Sequence, residues 1–179
     1  LCGAVEFNRL AQTYGIKPIT GAEITLENGH HLVLLAKNQA GYKNLCRILT
    51  ESHLGSPRLE PKTPFSILSK YSSDLFALSG CRRGQIPHLI LTGNYRQALE
   101  SAQNYISIFG ADNFYLELQG EKLPGNRHLN NCLLELSEKT GAGCVITNNV
   151  HYARKQDFPV HDILTCVRTN TKLEEVHPE

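Results

Sequence analysis

The sequence predicts an α/β protein built on a largely parallel sheet, open or closed into a barrel. Two observations predict it. Short apolar runs of strand length alternate with longer stretches whose apolar residues recur at helical spacing. The chain of 179 residues is 41% hydrophobic and 20% charged, enough to bury one real core. No internal repeat and no low-complexity tract breaks the pattern, and the Pro-rich stretch 55–64 is too short to link two domains, so residues 1–179 read as a single domain.

The elements follow in order. Residues 4–14 carry Ala4, Val5, Leu10 and Ala11 at helical spacing and stop at Gly15, a residue suited to ending a helix. Residues 16–26 are β-like, with Ile16, Ile19, Ile24 and Leu26 apolar. Asn28-Gly29 is the strongest short hairpin signal in the chain. It precedes His30-His31-Leu32-Val33-Leu34-Leu35-Ala36, an apolar run fit for a buried strand. Residues 41–54 form an amphipathic helix with Leu45, Ile48 and Leu49 on one face. Gly55, Pro57, Pro61 and Pro64 make 55–64 a loop, and 65–71 supplies one or two helical turns. Residues 75–81 are a short buried strand ending in a glycine turn. A helix covers 86–91, and Asn94 is an N-cap for the helix running to about 109. Residues 113–119 alternate Phe114, Leu116 and Leu118 as a strand. A helix over 126–140 carries Leu129, Leu133, Leu134 and Leu136, 144–147 is a strand, and a final helix spans 155–168 with Phe158, Ile163 and Leu164.

Composition excludes several classes of function. Eighteen Lys and Arg against 17 Asp and Glu leave a net charge of +1, so the chain does not hold nucleic acid by bulk electrostatics. No apolar run reaches the ~18 residues of a membrane span, and no basic region precedes an apolar one as in a signal peptide. Cys2, Cys46, Cys81, Cys132, Cys144 and Cys166 are widely spaced with no CxxC, which reads as reduced thiols in a cytoplasmic protein rather than a disulfide scaffold. There is no Met, and Leu1-Cys2-Gly3-Ala4 reads as the middle of an element, so the chain is expected to be an excerpt of a longer protein.

In parallel α/β architectures the chemistry gathers at the C-terminal ends of strands. Three predicted strands end in metal-capable residues: Glu23, Cys81 and His151. Imidazole nitrogen, thiolate and carboxylate together make a mixed donor set for a divalent ion. Each residue also has a plain reading. A Glu after a strand is commonly a surface residue, a Cys beside Gly a small buried hydrophobe, and a His at a strand end a loop histidine. The adjacent His30 and His31, near Glu23, add to the metal reading. A two-residue turn at Asn28-Gly29 would pair Glu23 with Leu34 and put His30, not His31, on the Glu23 face. A bulge near the turn would restore His31. His53, His88, His128 and His177 read as surface residues, His161 and Asp162 as helix packing or capping, and Cys46, Cys132 and Cys144 as core.

Several stretches together resemble one family. They are Gly15-Ile16-Lys17-Pro18-Ile19-Thr20-Gly21-Ala22-Glu23, His31-Leu32-Val33-Leu34-Leu35-Ala36-Lys37-Asn38, Gly41-Tyr42-Lys43-Asn44-Leu45, Leu78-Ser79-Gly80-Cys81, Asn113-Phe114-Tyr115-Leu116-Glu117-Leu118-Gln119, Thr147-Asn148-Asn149-Val150-His151-Tyr152 and His161-Asp162-Ile163-Leu164-Thr165-Cys166-Val167-Arg168. In this order they resemble the PHP (polymerase and histidinol phosphatase) domain of bacterial family C DNA polymerases. Cys81-Arg82-Arg83-Gly84, Leu123-Pro124-Gly125-Asn126-Arg127 and Asn148-Asn149-Val150-His151-Tyr152-Ala153 resemble the error-prone branch more than the main replicase.

The resemblance implies a distorted (β/α)7-like barrel, incomplete because its first strands would lie upstream of Leu1. It implies a divalent metal site, Zn or Mn, with Glu23, His31, Cys81, Asn149 and His151 as the matching ligands and His30 as the alternative to His31. Asn149 stands where many members have Asp. A neutral amide replaces a bridging carboxylate poorly, so the site is expected to be weakened. A complete site would activate water for attack on a phosphodiester, the 3′–5′ exonuclease chemistry of some members. Nucleotidyl transfer with Mg would belong to polymerase domains outside this stretch. The resemblance therefore implies a mainly structural module of a DNA polymerase serving replication or repair. DNA and dNTPs would be its partners through the longer protein, with other replication or repair proteins as further partners and no membrane. A stand-alone PHP phosphoesterase and a non-catalytic interaction domain are the rival readings. DNA contact through Arg82, Arg83, Arg96, Arg127, Arg154 and Lys155 is weighed against plain solvated charge.

Overall fold

The structure is a computed structural model that describes residues 1, 3–120 and 123–174. Cys2 and His177 lie outside the described residues. The chain divides into two compact units, Leu1–Thr147 and Asn148–Glu179.

The first unit runs α1 (Ala4–Thr13), β1 (Gly21–Thr25), β2 (His31–Ala36), α2 (Gln39–Leu54), α3 (Phe65–Tyr71), β3 (Leu75–Leu78), α4 (Gln85–Leu91), α5 (Tyr95–Phe109), β4 (Phe114–Gln119), α6 (Asn126–Thr140) and β5 (Gly143–Thr147). The described residues of the second hold a 3-10 turn (Lys155–Asp157) and α7 (Phe158–Thr169). Residues 16–20, expected as strand, form no regular element, and β1 begins only at Gly21. Pro18 has no N–H for a ladder, which suits the irregular lead-in. Asn38 caps α2 by accepting from the backbone N–H of Ala40 and Gly41 at 2.8 and 3.0 Å. Asn94 precedes α5, but its side chain does not cap that helix; its amide donates to Thr92 Oγ1 at 3.1 Å.

The strands lie in sequence order, β1-β2-β3-β4-β5, in a sheet that stays open among the described residues. This is a mixed α/β arrangement, consistent with part of a PHP-type barrel. It corrects the largely parallel expectation. β1–β2 and β2–β3 are antiparallel, and β3–β4 and β4–β5 are parallel. The physical reason lies in the connections. The tight turn after β1 can join only antiparallel neighbours, and the crossovers through α4 and α5 and through α6 return the chain parallel. But β2 and β3 are antiparallel across a connection that holds both α2 and α3, so there the path of the helices rather than length sets the direction.

Alternation along the strands separates two faces. Ile24, Leu32, Leu34, Leu75, Ala77, Phe114 and Leu116 are buried on one, packed with Leu45, Ile48, Ala98, Ala102, Leu129, Leu133 and Leu136 from the helices. Tyr105 stacks on Phe114 at 5.2 Å between ring centroids and donates its hydroxyl to Gln85 Oε1 at 2.8 Å. Glu23, His31, Val33, Tyr115 and Glu117 occupy the opposite face, where the candidate site lies. In the second unit, α7 opens with Pro159 in its first turn, and Thr165 and Cys166 are buried.

Candidate metal centre

The site begins with the turn between β1 and β2. Leu26 N–H donates to His30 C=O at 2.8 Å and Gly29 N–H to Leu26 C=O at 2.8 Å. The loop is therefore Glu27-Asn28-Gly29, with Gly29 at φ +84° in the left-handed region that glycine adopts freely. The two-residue hairpin is corrected by this one extra residue. Glu23 pairs with Val33 and Thr25 with His31, so His31 shares the Glu23 face.

The turn after β3 brings the third residue. Gly80, at φ +80°, bends the chain against β2, where a Cβ would stand 3.1 Å from the His31 carbonyl oxygen. His31 N–H donates to Arg83 C=O at 3.1 Å and Gly84 N–H to Cys81 C=O at 2.7 Å, stapling the 80–84 turn to the start of β2. Cys81 thereby meets the other two: donor atoms of Glu23, His31 and Cys81 all lie within 4.8 Å of one another.

His31 Nδ1 is 3.0 Å from Glu23 Oε1, and the His31 side chain is 13% exposed. Nδ1 is buried, with the Glu23 carboxylate beside it but no well-aligned hydrogen-bond acceptor. The Cys81 thiol first, and the Glu23 carboxylate second, raise the His31 pKa to about 9, against the opposing effects of burial and the Arg83 charge. His30 turns elsewhere. Its Nδ1 lies 3.2 Å from Arg83 C=O and its ring 4.9 Å from that of His88, and burial, before its other neighbours, lowers its pKa.

The donor set fits a divalent ion. Neighbouring ligands on a four-coordinate ion stand roughly 3.3–3.8 Å apart at ordinary Zn–N, Zn–O and Zn–S lengths, so side-chain shifts of up to about 1 Å bring the three donors onto one ion. A buried imidazole nitrogen without a well-aligned partner is the atom such an ion would satisfy. Glu23 Oε1, a ring nitrogen of His31 and Cys81 Sγ would hold it.

Asn149 and His151 belong to the second unit. There the His151 ring lies 5.1 Å from that of His161, and Tyr152 lies 5.4 Å from His161, so His161 packs among aromatic rings. Of the basic residues weighed for DNA contact, Arg82 donates to Pro124 C=O and Asn126 Oδ1, both at 2.8 Å, and Arg96 pairs with Glu100 at 3.2 Å. Those two guanidinium groups hold the protein's own loops and helix. Among the described residues no helix is long and apolar enough to cross a membrane.

Sequence reasoning passed over Glu117. Its place between Leu116 and Leu118 puts it on the non-core face, which reads as solvent, yet it is only 7% exposed.

Residues 1–121 match the family model described as PHP domain. The chain belongs to the PHP domain family. Over 99% of its length this PHP domain is 48% identical to the error-prone DNA polymerase of Symbiobacterium thermophilum. It is 36% identical over 98% of its length to the DNA polymerase III subunit alpha of Thermus aquaticus, and 33% identical over 93% to that of Treponema pallidum. The PHP domain spans 18% of the first relative and 16% of each of the other two.

Proposed function

We propose that this chain is the PHP portion of a DNA-directed DNA polymerase of the error-prone type, in which it serves mainly as a structural module with a partial, weakened divalent-metal site. The observation that carries this reading is the 48% identity over nearly the whole chain to an error-prone DNA polymerase, against 36% and 33% to two replicase alpha subunits. DNA and dNTPs are then partners of the longer protein, which acts in replication or damage-tolerant synthesis in the cytoplasm. The Mg of nucleotidyl transfer belongs to its polymerase domains.

Within this domain Glu23, His31 and Cys81 would hold Zn or Mn, with Asn149 and His151 added on the family resemblance alone. Such an ion, when bound, lowers the pKa of its water and neutralises phosphate charge. The residues themselves orient the donors. Glu23 and His31 are fixed across one strand pair, and the Gly80 turn sets Cys81 against them. A neutral Asn149 supplies no charge to offset a cation, so affinity is lower than an Asp would give.

The test is an assay of the full-length protein on primed templates and on primers with a 3′ mismatch, in Zn²⁺ or Mn²⁺. Templated extension with little trimming is the expected result. Robust metal-dependent trimming that His151→Ala and Cys81→Ala abolish would favour the second reading, a 3′–5′ exonuclease or phosphoesterase, for which the clustered Glu23, His31 and Cys81 speak. A chain that binds no metal and extends no primer would leave the interaction-domain reading.

A further inference from the structure

Glu117 is the one acidic side chain buried among the described residues. Its Oε1 accepts from the Thr147 hydroxyl and, at 3.4 Å, from the Gln119 amide, while its backbone N–H donates to Ser79 Oγ at 2.9 Å. Oε2 is buried and meets no donor among the described residues. A buried carboxylate oxygen in that state calls for a donor that these side chains do not supply.

The strand register says where such a donor would come from. Glu23 pairs with Val33, Val33 with Leu78, and Leu78 with Tyr115, so these four share a face. His31 and Glu117, each two residues along its strand from one of them, share it too. Between them stands Gly80, against the His31 backbone on one side; its neighbour Ser79 donates its N–H to Tyr115 C=O at 2.9 Å on the other. His31 and Glu117 thus flank a glycine at about 10 Å, two strand spacings, and Gly80 has no side chain to fill the row. An ion on the imidazole, a water on the ion and one hydrogen bond span roughly 7 Å from ring nitrogen to acceptor, the scale of that gap.

We propose that Glu117 is a positioning residue for the metal centre: its Oε2 accepts a hydrogen bond from a water carried by the divalent ion that Glu23, His31 and Cys81 hold. The inference rests on the metal reading above. Thr147 and Gln119 fix Oε1, which leaves Oε2 as the free acceptor, and the carboxylate adds a negative charge beside the cation without ligating it. Outer carboxylates of this kind orient bound water and raise affinity.

The experiment titrates the full chain with Mn²⁺ by calorimetry and compares Glu117→Gln. The expected result is a loss of about tenfold to a hundredfold in affinity, with an unchanged melting temperature in the metal-free state. Unchanged affinity in Glu117→Gln overturns the proposal. Should that variant not fold, a crystal structure of the unmodified chain with Mn²⁺ decides. A water bonded to both the ion and Oε2 supports the proposal, and Oε2 paired with any other donor overturns it. An unmodified chain that takes up no Mn²⁺ overturns the metal reading itself, and this inference with it.

Discussion

His31 Nδ1 stands 3.0 Å from Glu23 Oε1 because Thr25, not Leu26, faces His31 across the β1–β2 pair. One loop residue decides whether the imidazole faces the carboxylate or the opposite side of the sheet. Held beside the Cys81 thiol and Glu23, the metal-free imidazole titrates near 9 rather than its ordinary 6.5. A pKa raised on folding contributes stability that is complete below about pH 6.5 and fades as pH rises through about 9. After solvent screening the contribution is about 1–2 kcal/mol. A histidine NMR titration of the metal-free chain checks the pKa, and an ordinary value near 6.5 for His31 contradicts it. Urea midpoints at pH 6 and pH 10 check the energy, and His31→Gln should remove that difference.

Metal binding must displace that proton. Titration with Zn²⁺ at pH 7 should therefore release about one proton from His31, beyond any from the thiol. Calorimetry in two buffers of different ionisation enthalpy reads the number. Cys81→Ser, Glu23→Gln and His31→Ala should each weaken Zn²⁺ binding at least about tenfold. Cys144→Ser, outside the donor group, should leave it unchanged. Equal losses at Cys81 and Cys144 would sink the assignment.

Gly80 combines φ +80° with a carbonyl oxygen 3.1 Å from where a Cβ would stand. Gly80→Ala should cost about 1–3 kcal/mol by denaturant unfolding. It should also weaken metal uptake, because the turn that carries Cys81 must shift. An alanine variant as stable as the parent, with full metal affinity, would contradict the turn's role.

Phe114 is fully buried and stacks on Tyr105. Truncation to Ala should cost about 3–5 kcal/mol, measured by urea unfolding. The loss should exceed that of Ile146→Ala, whose side chain is 80% exposed.

Asn149→Asp should strengthen divalent binding, since a carboxylate supplies the charge that the amide lacks. Equal affinities for the two proteins would remove Asn149 from the ligand set.

Much of the fold was legible in the chain. The helix expected over 65–71 forms as Phe65–Tyr71, and that over 126–140 as Asn126–Thr140, because their apolar spacing and flanking Pro64 and Gly141 act locally. The strands with β-branched and leucine runs also appear. Strand direction was not legible, since it depends on how each crossover returns to the sheet. The hairpin length was misread because Asn28-Gly29 suits a three-residue loop as well as a two-residue one, and only the Leu26 to His30 hydrogen bond tells them apart.

Residue chemistry alone marked Glu23, Cys81 and His151 at expected strand ends, and the His30-His31 pair, as metal-capable groups, and the motif resemblance indicated the family and pointed to Glu23, His31 and Cys81 among its donors. Tertiary structure alone decided that the three donors come within 4.8 Å, that His30 turns toward Arg83 and His88, and that Glu117 is buried. The reason is that donor type belongs to a side chain, whereas proximity, facing and burial belong to register and turn geometry. A single residue's change in a loop flips every side chain beyond it to the other face.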